Sequence, residues 1–179
     1  MLKPIDSLLE PDPRYGVALL RDAVEGGLRP MDIGDMHRLV DPITLGDHVP
    51  PEVRHQFDLA RIAFVYSWFT YELATLAEQQ AYGVLEMALR RRAEGQGALP
   101  KRKSLASLLK VATERGWLRH EEFQVDWQSS TGKISFLELL PYFRNELAHG
   151  STNLFPQGSL EMLRVCALVI NKLFNQSPT

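Results

Sequence analysis

The sequence predicts an all-α protein, an up-and-down bundle of four main helices with a long first helix. Apolar residues recur at steps of three to five along several stretches of the chain, which is the period of one helix face. Glycine, proline and capping residues separate these stretches, and the strict alternation typical of strands is nearly absent. We expect residues 51–179 to form the bundle and residues 1–50 to form a short helical N-terminal extension.

The N-terminal extension has the weakest pattern. Three prolines in residues 1–13 predict an extended lead-in. Residues 14–26 predict a short helix that ends at Gly26. Its apolar face would be formed by Val17, Leu20 and Val24. Asp32 is a candidate N-cap for one more short helix over residues 32–40.

The longest helical pattern runs over residues 53–93, which contain no proline and only one glycine, Gly83. Pro51 lies just before it, at a position favoured for the first residue of a helix. An unbroken helix of about 40 residues would span roughly 60 Å, which is long for one domain. The sequence therefore predicts a kink or break, either near Gly83 or at residues 68–70.

Two further segments predict shorter helices, and a third predicts the last helix of the bundle. Ser104 is a candidate cap for a helix that ends at Gly116, with an apolar face of Leu105, Leu108, Leu109 and Ala112. Residues 121–127 predict a short helix. The last helix is expected from Ser159 to about Phe174, with Leu160, Leu163, Ala167 and Ile170 on its buried side.

The third main helix carries the most informative residues. It is expected to open at Ser135, with Glu138 at capping-box spacing, and to end at Gly150. One buried stripe would consist of Phe136, Leu140, Phe143 and Leu147. Pro141 lies inside this pattern and predicts either a kink or a start only near Leu140.

Composition excludes several classes of site. The net charge of −2 gives no overall basic character, so nucleic-acid binding would need a local patch. Cys166 is the only cysteine, which excludes a disulfide or a cysteine-based zinc site within one chain and predicts a core residue in a reducing environment. The histidines outside the third helix show no metal-ligand spacing, so we expect no metal and no cofactor. The start of the chain lacks a signal region and no apolar run is long enough for a membrane helix, so we expect a soluble, cytoplasmic protein.

Arg144, Asn145 and His149 lie within six residues at the end of the third helix. A guanidinium stabilises negative charge developing on a phosphoryl group, and an imidazole moves protons near neutral pH. Asn145 and His149 share a helix face, and a loosened last turn would let Arg144 join them in one groove. The alternatives are a surface ion pair for Arg144, a helix C-cap for His149 and a bracing contact with a nearby loop for Asn145.

A single copy of Arg144 and His149 supplies few groups for RNA cleavage. Two copies of the chain related by a two-fold axis would supply two of each. One imidazole would then take the proton of the ribose 2′-hydroxyl, and the other would protonate the leaving 5′-oxygen, so that the product carries a 2′,3′-cyclic phosphate. The sequence therefore favours a homodimer that cuts RNA without a metal ion.

The motif Arg144-Asn145-x-x-x-His149 resembles the Arg-x4–6-His motif of HEPN domains, which have a polar residue directly after the arginine. Two other stretches are similar to bacterial HEPN-like proteins. They are Tyr82-Gly83-Val84-Leu85-Glu86-Met87-Ala88-Leu89 and the second-helix region formed by residues 104–109 and 116–118. The resemblance covers roughly residues 55–175.

The resemblance implies a helical bundle and a metal-independent endoribonuclease of a toxin or phage-defence system, acting as a dimer. It also implies a possible antitoxin or nucleotidyltransferase partner. One subgroup has a tyrosine two residues after the histidine that such a partner modifies, whereas this chain has Ser151. The alternatives are a catalytically inactive HEPN-like module that binds a partner protein or RNA, and a purely structural helical dimer.

Two further sets of residues are candidates for supporting roles. The only basic cluster flanks residues 95–100 and is a candidate grip for RNA phosphates, although the same residues suit a solvated helix end. It consists of Arg90, Arg91, Arg92, Lys101, Arg102 and Lys103. Glu78 and Glu86 lie two turns apart on one side of the long helix, where either could orient Arg144 or be solvated.

Overall fold

The structure is a computed structural model that describes residues 2–21, 26–125, 134–148 and 156–175. These residues form a mostly helical protein, in agreement with the predicted class. The helices are α1 Ile33–Val40, α2 Pro51–Tyr66, α3 Leu73–Gly95, α4 Leu105–Glu114, α5 Phe136–Ala148 and α6 Pro156–Phe174. The strands are β1 Leu19–Arg21, β2 Leu28–Pro30, β3 Gln124–Val125 and β4 Ile134–Ser135. The strands pair as two short antiparallel hairpins, β1 with β2 and β3 with β4.

The helix predicted for residues 14–26 is wrong. A 3₁₀ turn at Pro13–Tyr15 leads into β1, which pairs with β2. Of the predicted apolar face, Val17 is 83% exposed and Leu20 is half-buried, and Val24 lies outside the described residues. The buried residue is Tyr15, whose hydroxyl lies 2.9 Å from the Ser67 hydroxyl and whose ring stacks on Trp68. This tertiary contact outweighs the weak helical pattern.

The predicted cap of α1 is confirmed. The Asp32 carboxylate accepts from the Asp35 backbone nitrogen at 2.8 Å, and the Asp35 carboxylate accepts from the Asp32 backbone nitrogen at 2.9 Å. Asp35 is buried, and Arg29 and Arg38 both donate to its carboxylate. The Arg29 guanidinium holds the pKa of Asp35 well below its usual range.

The long helical segment breaks between Tyr66 and Leu73, and Gly83 lies inside an unbroken α3. The break thus falls at the second of the two predicted positions. The N-terminal extension stabilises it, because the Asp12 backbone nitrogen donates to the Trp68 carbonyl and the Asp12 carboxylate accepts from the Tyr71 nitrogen. Helices α2 and α3 therefore form an antiparallel pair.

Helix α3 is the centre of the fold and packs against α2, α4, α5 and α6. Alanines on its buried faces allow these neighbours to approach closely. They are Ala74, Ala77, Ala81, Ala88 and Ala93. The predicted buried side of α6 is confirmed, and Cys166 is fully buried among these residues, as expected. Phe174, at the end of α6, is only partly buried.

Helix α4 agrees with its prediction, since the Ser104 hydroxyl accepts from the Ser107 nitrogen and Gly116 adopts φ of +70° after the last turn. The short helix predicted for residues 121–127 is wrong. A 3₁₀ turn at His120–Phe123 is followed directly by β3, and residues 126 and 127 lie outside the described residues.

Helix α5 differs from its prediction at its start and in its buried face. The Ser135 hydroxyl is buried and has no hydrogen-bond partner among the described residues, so the predicted cap bond does not form. Pro141 lies within a continuous helix that starts at Phe136. Leu140 is fully buried, but the other members of the predicted stripe are only half-buried, and Leu137 is buried in their place. The buried face of α5 is thus rotated from the predicted one, because α5 contacts both α3 and α4.

Candidate functional site

A groove of about 360 Å³ lies between α3 and the last turn of α5. Its lining consists of Gln79, Tyr82, Gly83 and Glu86 from α3 and Arg144, Leu147 and Ala148 from α5. The hydrogen bond from Arg144 to Glu86 links α5 to α3 at this groove. The groove therefore brings the end of α5 against the middle of α3.

Arg144 is held by a partly buried carboxylate. Its Nε donates to Glu86 Oε1 at 3.0 Å, and its Nη1 lies 3.4 Å from Asn145 Oδ1. The Arg144 side chain is 41% exposed, whereas that of Glu86 is only 17% exposed. Within the described part of the chain, Nη2 has no hydrogen-bond partner. Glu86 thus fixes one edge of the guanidinium and leaves the other edge available to a ligand.

The two candidate glutamates have separate roles. Glu86 contacts Arg144, which was one of the two predicted alternatives for this glutamate. Glu78 contacts α6 instead. The Ser159 hydroxyl donates to Glu78 Oε2 at 2.9 Å. Burial raises the pKa of the Glu78 carboxyl, although the bond from Ser159 opposes the shift.

Two more buried polar groups lie close to Glu78. The Tyr82 hydroxyl has no hydrogen-bond partner among the described residues, and its side chain is only 2% exposed. Burial raises the pKa of Tyr82 and that of the Cys166 thiol, and the negative charge of Glu78 adds to both shifts. Burial thus opposes the ionisation of all three groups.

The predicted partner of Arg144 falls outside the described residues. Asn145 is exposed beside Arg144, and Ala148 is the last residue described in α5. His149 and Gly150 follow directly but belong to the undescribed segment 149–155. The convergence of Arg144 and His149 on one groove therefore stays a prediction.

The basic cluster is divided by its contacts. Arg91 lies near Glu52, at 3.6 Å, and near Glu94, at 4.0 Å. Arg92 lies over the ring of Trp117, 5.5 Å from the centroid. The residues 101–103 are exposed, and they form no salt bridge with any other described residue. These three side chains are the part of the cluster best placed to meet an anion.

A larger cavity, of about 830 Å³, lies between the N-terminal extension and the start of α6 and was not anticipated from the sequence. Tyr15, Met36, Phe64 and Tyr71 contribute to its largely apolar wall. The Arg14 guanidinium lies 4.3 Å from the centre of the Tyr71 ring and pairs with Asp12 and Glu72. In the sequence, the aromatic residues on both sides of the α2–α3 break were the available sign of this cavity. That they line the same wall depends on tertiary packing, which the sequence does not show.

Comparison with known proteins gives no match to this chain. It matches no family model, no curated protein and no solved structure.

Among the described residues there is no group of three or more histidine, cysteine or acidic side chains placed to hold a metal ion. None of the described helices has the length and apolar character needed to cross a membrane.

Proposed function

We propose that this protein is a metal-independent endoribonuclease of the HEPN type, with Arg144, Asn145 and His149 in its active site. The proposed fold is a bundle in which α3, α4, α5 and α6 are the four main helices. The observation that carries the proposal is the Arg144–Glu86 pair on the wall of an open groove. The partly buried carboxylate of Glu86 holds one side of the Arg144 guanidinium and leaves the other side facing the groove. This arrangement suits the binding of a phosphate better than an ion pair on an open surface does.

The proposed chemistry needs only groups of this chain and the RNA. The ribose 2′-oxygen attacks the neighbouring phosphorus, and the bond from phosphorus to the 5′-oxygen breaks. A His149 imidazole accepts the proton of the 2′-hydroxyl, and a second imidazole protonates the leaving 5′-oxygen. Arg144 stabilises the charge that builds up on the phosphorane. The products are a 2′,3′-cyclic phosphate and a free 5′-hydroxyl.

The second imidazole comes from a second copy of the chain. We propose a homodimer in which the two α5 helices face each other across the two-fold axis, so that one cleft holds two copies of Arg144 and His149. In this arrangement Glu86 of each copy orients its own Arg144. The exposed residues Lys101, Arg102 and Lys103 are proposed to hold more distant phosphates. A role in a toxin–antitoxin or phage-defence system follows from the resemblance alone.

The proposal is tested by incubating the purified protein with end-labelled single-stranded RNA in EDTA. We expect cleavage products that end in a 2′,3′-cyclic phosphate, and no cleavage of DNA of the same sequence, because DNA lacks the attacking hydroxyl. RNA cleavage that requires magnesium, or cleavage of the DNA control, would contradict the mechanism.

One observation favours a second function, a catalytically inactive module that binds a partner protein or RNA. Glu86 compensates the charge of Arg144, so the groove as a whole carries less positive charge than a free arginine would give. The same assay separates the two functions. An inactive module would shift labelled RNA or a partner on a native gel but leave the RNA intact after long incubation.

A further inference from the structure

The groove beside Arg144 contains an exposed glycine, Gly83, near the middle of the 23-residue α3. Glycine in a helix interior destabilises the helix relative to alanine, because it loses more backbone freedom on folding. The backbone at Gly83 has no positive φ that would call for glycine. Neither helix geometry nor helix stability therefore explains this residue.

Packing against the other described residues does not explain Gly83 either. A Cβ atom added at Gly83 would lie more than 4 Å from every heavy atom it could meet among the described residues. Gly46 shows the contrast, because a Cβ there would clash with the His48 ring. Among the described residues, the space above Gly83 is thus open to a molecule from outside.

We propose that Gly83 lets the sugar–phosphate backbone of single-stranded RNA approach α3 directly beside Arg144. This inference rests on the proposed function and adds a residue that determines which ligands enter the site. A side chain at position 83 would point toward the N-terminus of α3 and cover the turn that carries Gln79. It would therefore fill the groove between Gln79 and Arg144.

The groups around Gly83 fit a phosphodiester and its ribose. Arg144 Nη2 has no partner within the described residues and is free to donate to a phosphate oxygen. The exposed Gln79 amide offers a donor to a phosphate and an acceptor to a ribose hydroxyl. The groove volume of about 360 Å³ lies at the lower end of the roughly 300–1,000 Å³ found for ligand pockets, which suits one nucleotide unit.

A second copy of the chain is the competing occupant, and the charged and amide groups of the groove favour RNA over it. A protein partner would be expected to cover exposed apolar side chains. The exposed large apolar side chains of α2, α3 and α5 are Leu59, Ile62, Tyr66, Leu76 and Tyr142, and none of them lines the groove. The groove is instead lined by the polar groups of Gln79, Glu86 and Arg144, together with Tyr82, Leu147 and Ala148.

The test compares two glycines of the same helix. Gly95, at the end of α3, also has no atom within 4 Å of an added Cβ and does not line the groove, so it is a matched control. We would measure thermal unfolding, the affinity for a 2′-O-methylated single-stranded RNA that cannot be cleaved, and the cleavage of ordinary RNA. The variants are Gly83→Ala, Gly83→Leu, Gly95→Ala and Gly95→Leu.

We expect Gly83→Ala to raise Tm by about 2–4 °C, as a gain in helix propensity predicts for a chain of this size. Gly83→Leu should remain folded yet bind the methylated RNA at least about tenfold more weakly, the size of one lost hydrogen bond to a charged group. Both Gly95 variants should bind RNA as the wild type does.

Several results would overturn the inference. They are a lower Tm for Gly83→Ala, wild-type RNA affinity for Gly83→Leu, or a change from dimer to monomer in Gly83→Leu by light scattering. The catalytic proposal is judged separately. If the wild type binds the methylated RNA but never cleaves ordinary RNA, and Gly83→Leu abolishes binding, the groove inference is supported and the nuclease proposal fails. If Gly83→Leu cleaves RNA at the wild-type rate, the nuclease stands and the role of Gly83 fails.

Discussion

At the scale of single residues, the chemistry of the site depends on how Arg144 is held. Glu86 fixes its Nε at 3.0 Å, and the surrounding groove leaves the far edge of the guanidinium open. If this edge stabilises the phosphorane and His149 moves the protons, Arg144→Ala and His149→Ala should each reduce RNA cleavage at least about a hundredfold. Circular dichroism should show an unchanged fold. Cleavage that persists in His149→Ala would contradict the proposed acid–base role.

Substitutions of Glu86 test whether this residue positions Arg144, because Glu86 is proposed to act on the reaction only through Arg144. Glu86→Ala removes the acceptor, and we expect RNA cleavage to fall about tenfold, the size of one lost hydrogen bond to a charged group. Glu86→Gln keeps an acceptor oxygen at the same place and should restore most of the lost rate. Equal activity of the two variants would show that Glu86 does not position Arg144.

The raised pKa of the half-buried Glu78 predicts how stability changes with pH. Its pKa in the folded protein is raised above the ordinary value of 4.5, so the folded state holds its proton to higher pH than the unfolded state does. The stability contributed by protonated Glu78 is therefore present at acid pH and is lost as pH rises through the raised pKa. Glu78→Gln, which stays neutral and can still accept from Ser159, should be more stable than the wild type at pH 7.5. The two proteins should be nearly equal near pH 4, as measured by urea unfolding.

A single result would contradict this reading of Glu78. If the wild type and Glu78→Gln differ equally at both pH values, the surroundings do not raise the pKa of Glu78 in the folded protein.

The sequence was informative about residues that act through local rules and silent about those that act through tertiary contacts. Asp32 and Ser104 cap their helices as predicted, because a cap bond involves only the next three residues, whereas Ser135 makes no such bond within the described residues. Of the two candidate partners of Arg144, the choice of Glu86 over Glu78 depends on how α5 and α6 lie across α3. No local pattern carries that information.

At the scale of the elements, the helical period of the sequence predicted α3, α4 and α6 correctly. It did not predict the structure of the first thirty residues. The helix predicted for residues 14–26 is replaced by a hairpin, because Tyr15 is buried against Ser67 and Trp68 far along the chain. The break between α2 and α3 could be narrowed to two places from helix length alone. Its position is decided by Asp12, which binds the backbone at Trp68 and Tyr71.

Helix α5 shows how a shift of the buried face changes the effect of a mutation. The sequence placed Leu140 and Leu147 on one buried stripe, but Leu140 is fully buried and Leu147 lines the open groove. Leu140→Ala should therefore lower the free energy of unfolding by about 2–5 kcal/mol. Leu147→Ala should cost well under half of that. Chemical denaturation of both variants measures the difference, and equal losses would show that the two leucines are equally buried.

At the scale of the whole molecule, the site is proposed to be complete only in a dimer. One chain contributes one Arg144 and one His149, whereas the proposed reaction needs a group to remove a proton and another to donate one. We expect a homodimer at micromolar concentration by light scattering. Because both copies build one cleft, an excess of His149→Ala protein should exchange with wild-type chains and suppress their RNA cleavage. The same excess of albumin should have no effect. A monomer that retains full activity, or wild-type cleavage that is indifferent to the His149→Ala protein, would place the whole reaction within one chain and require another proton donor there.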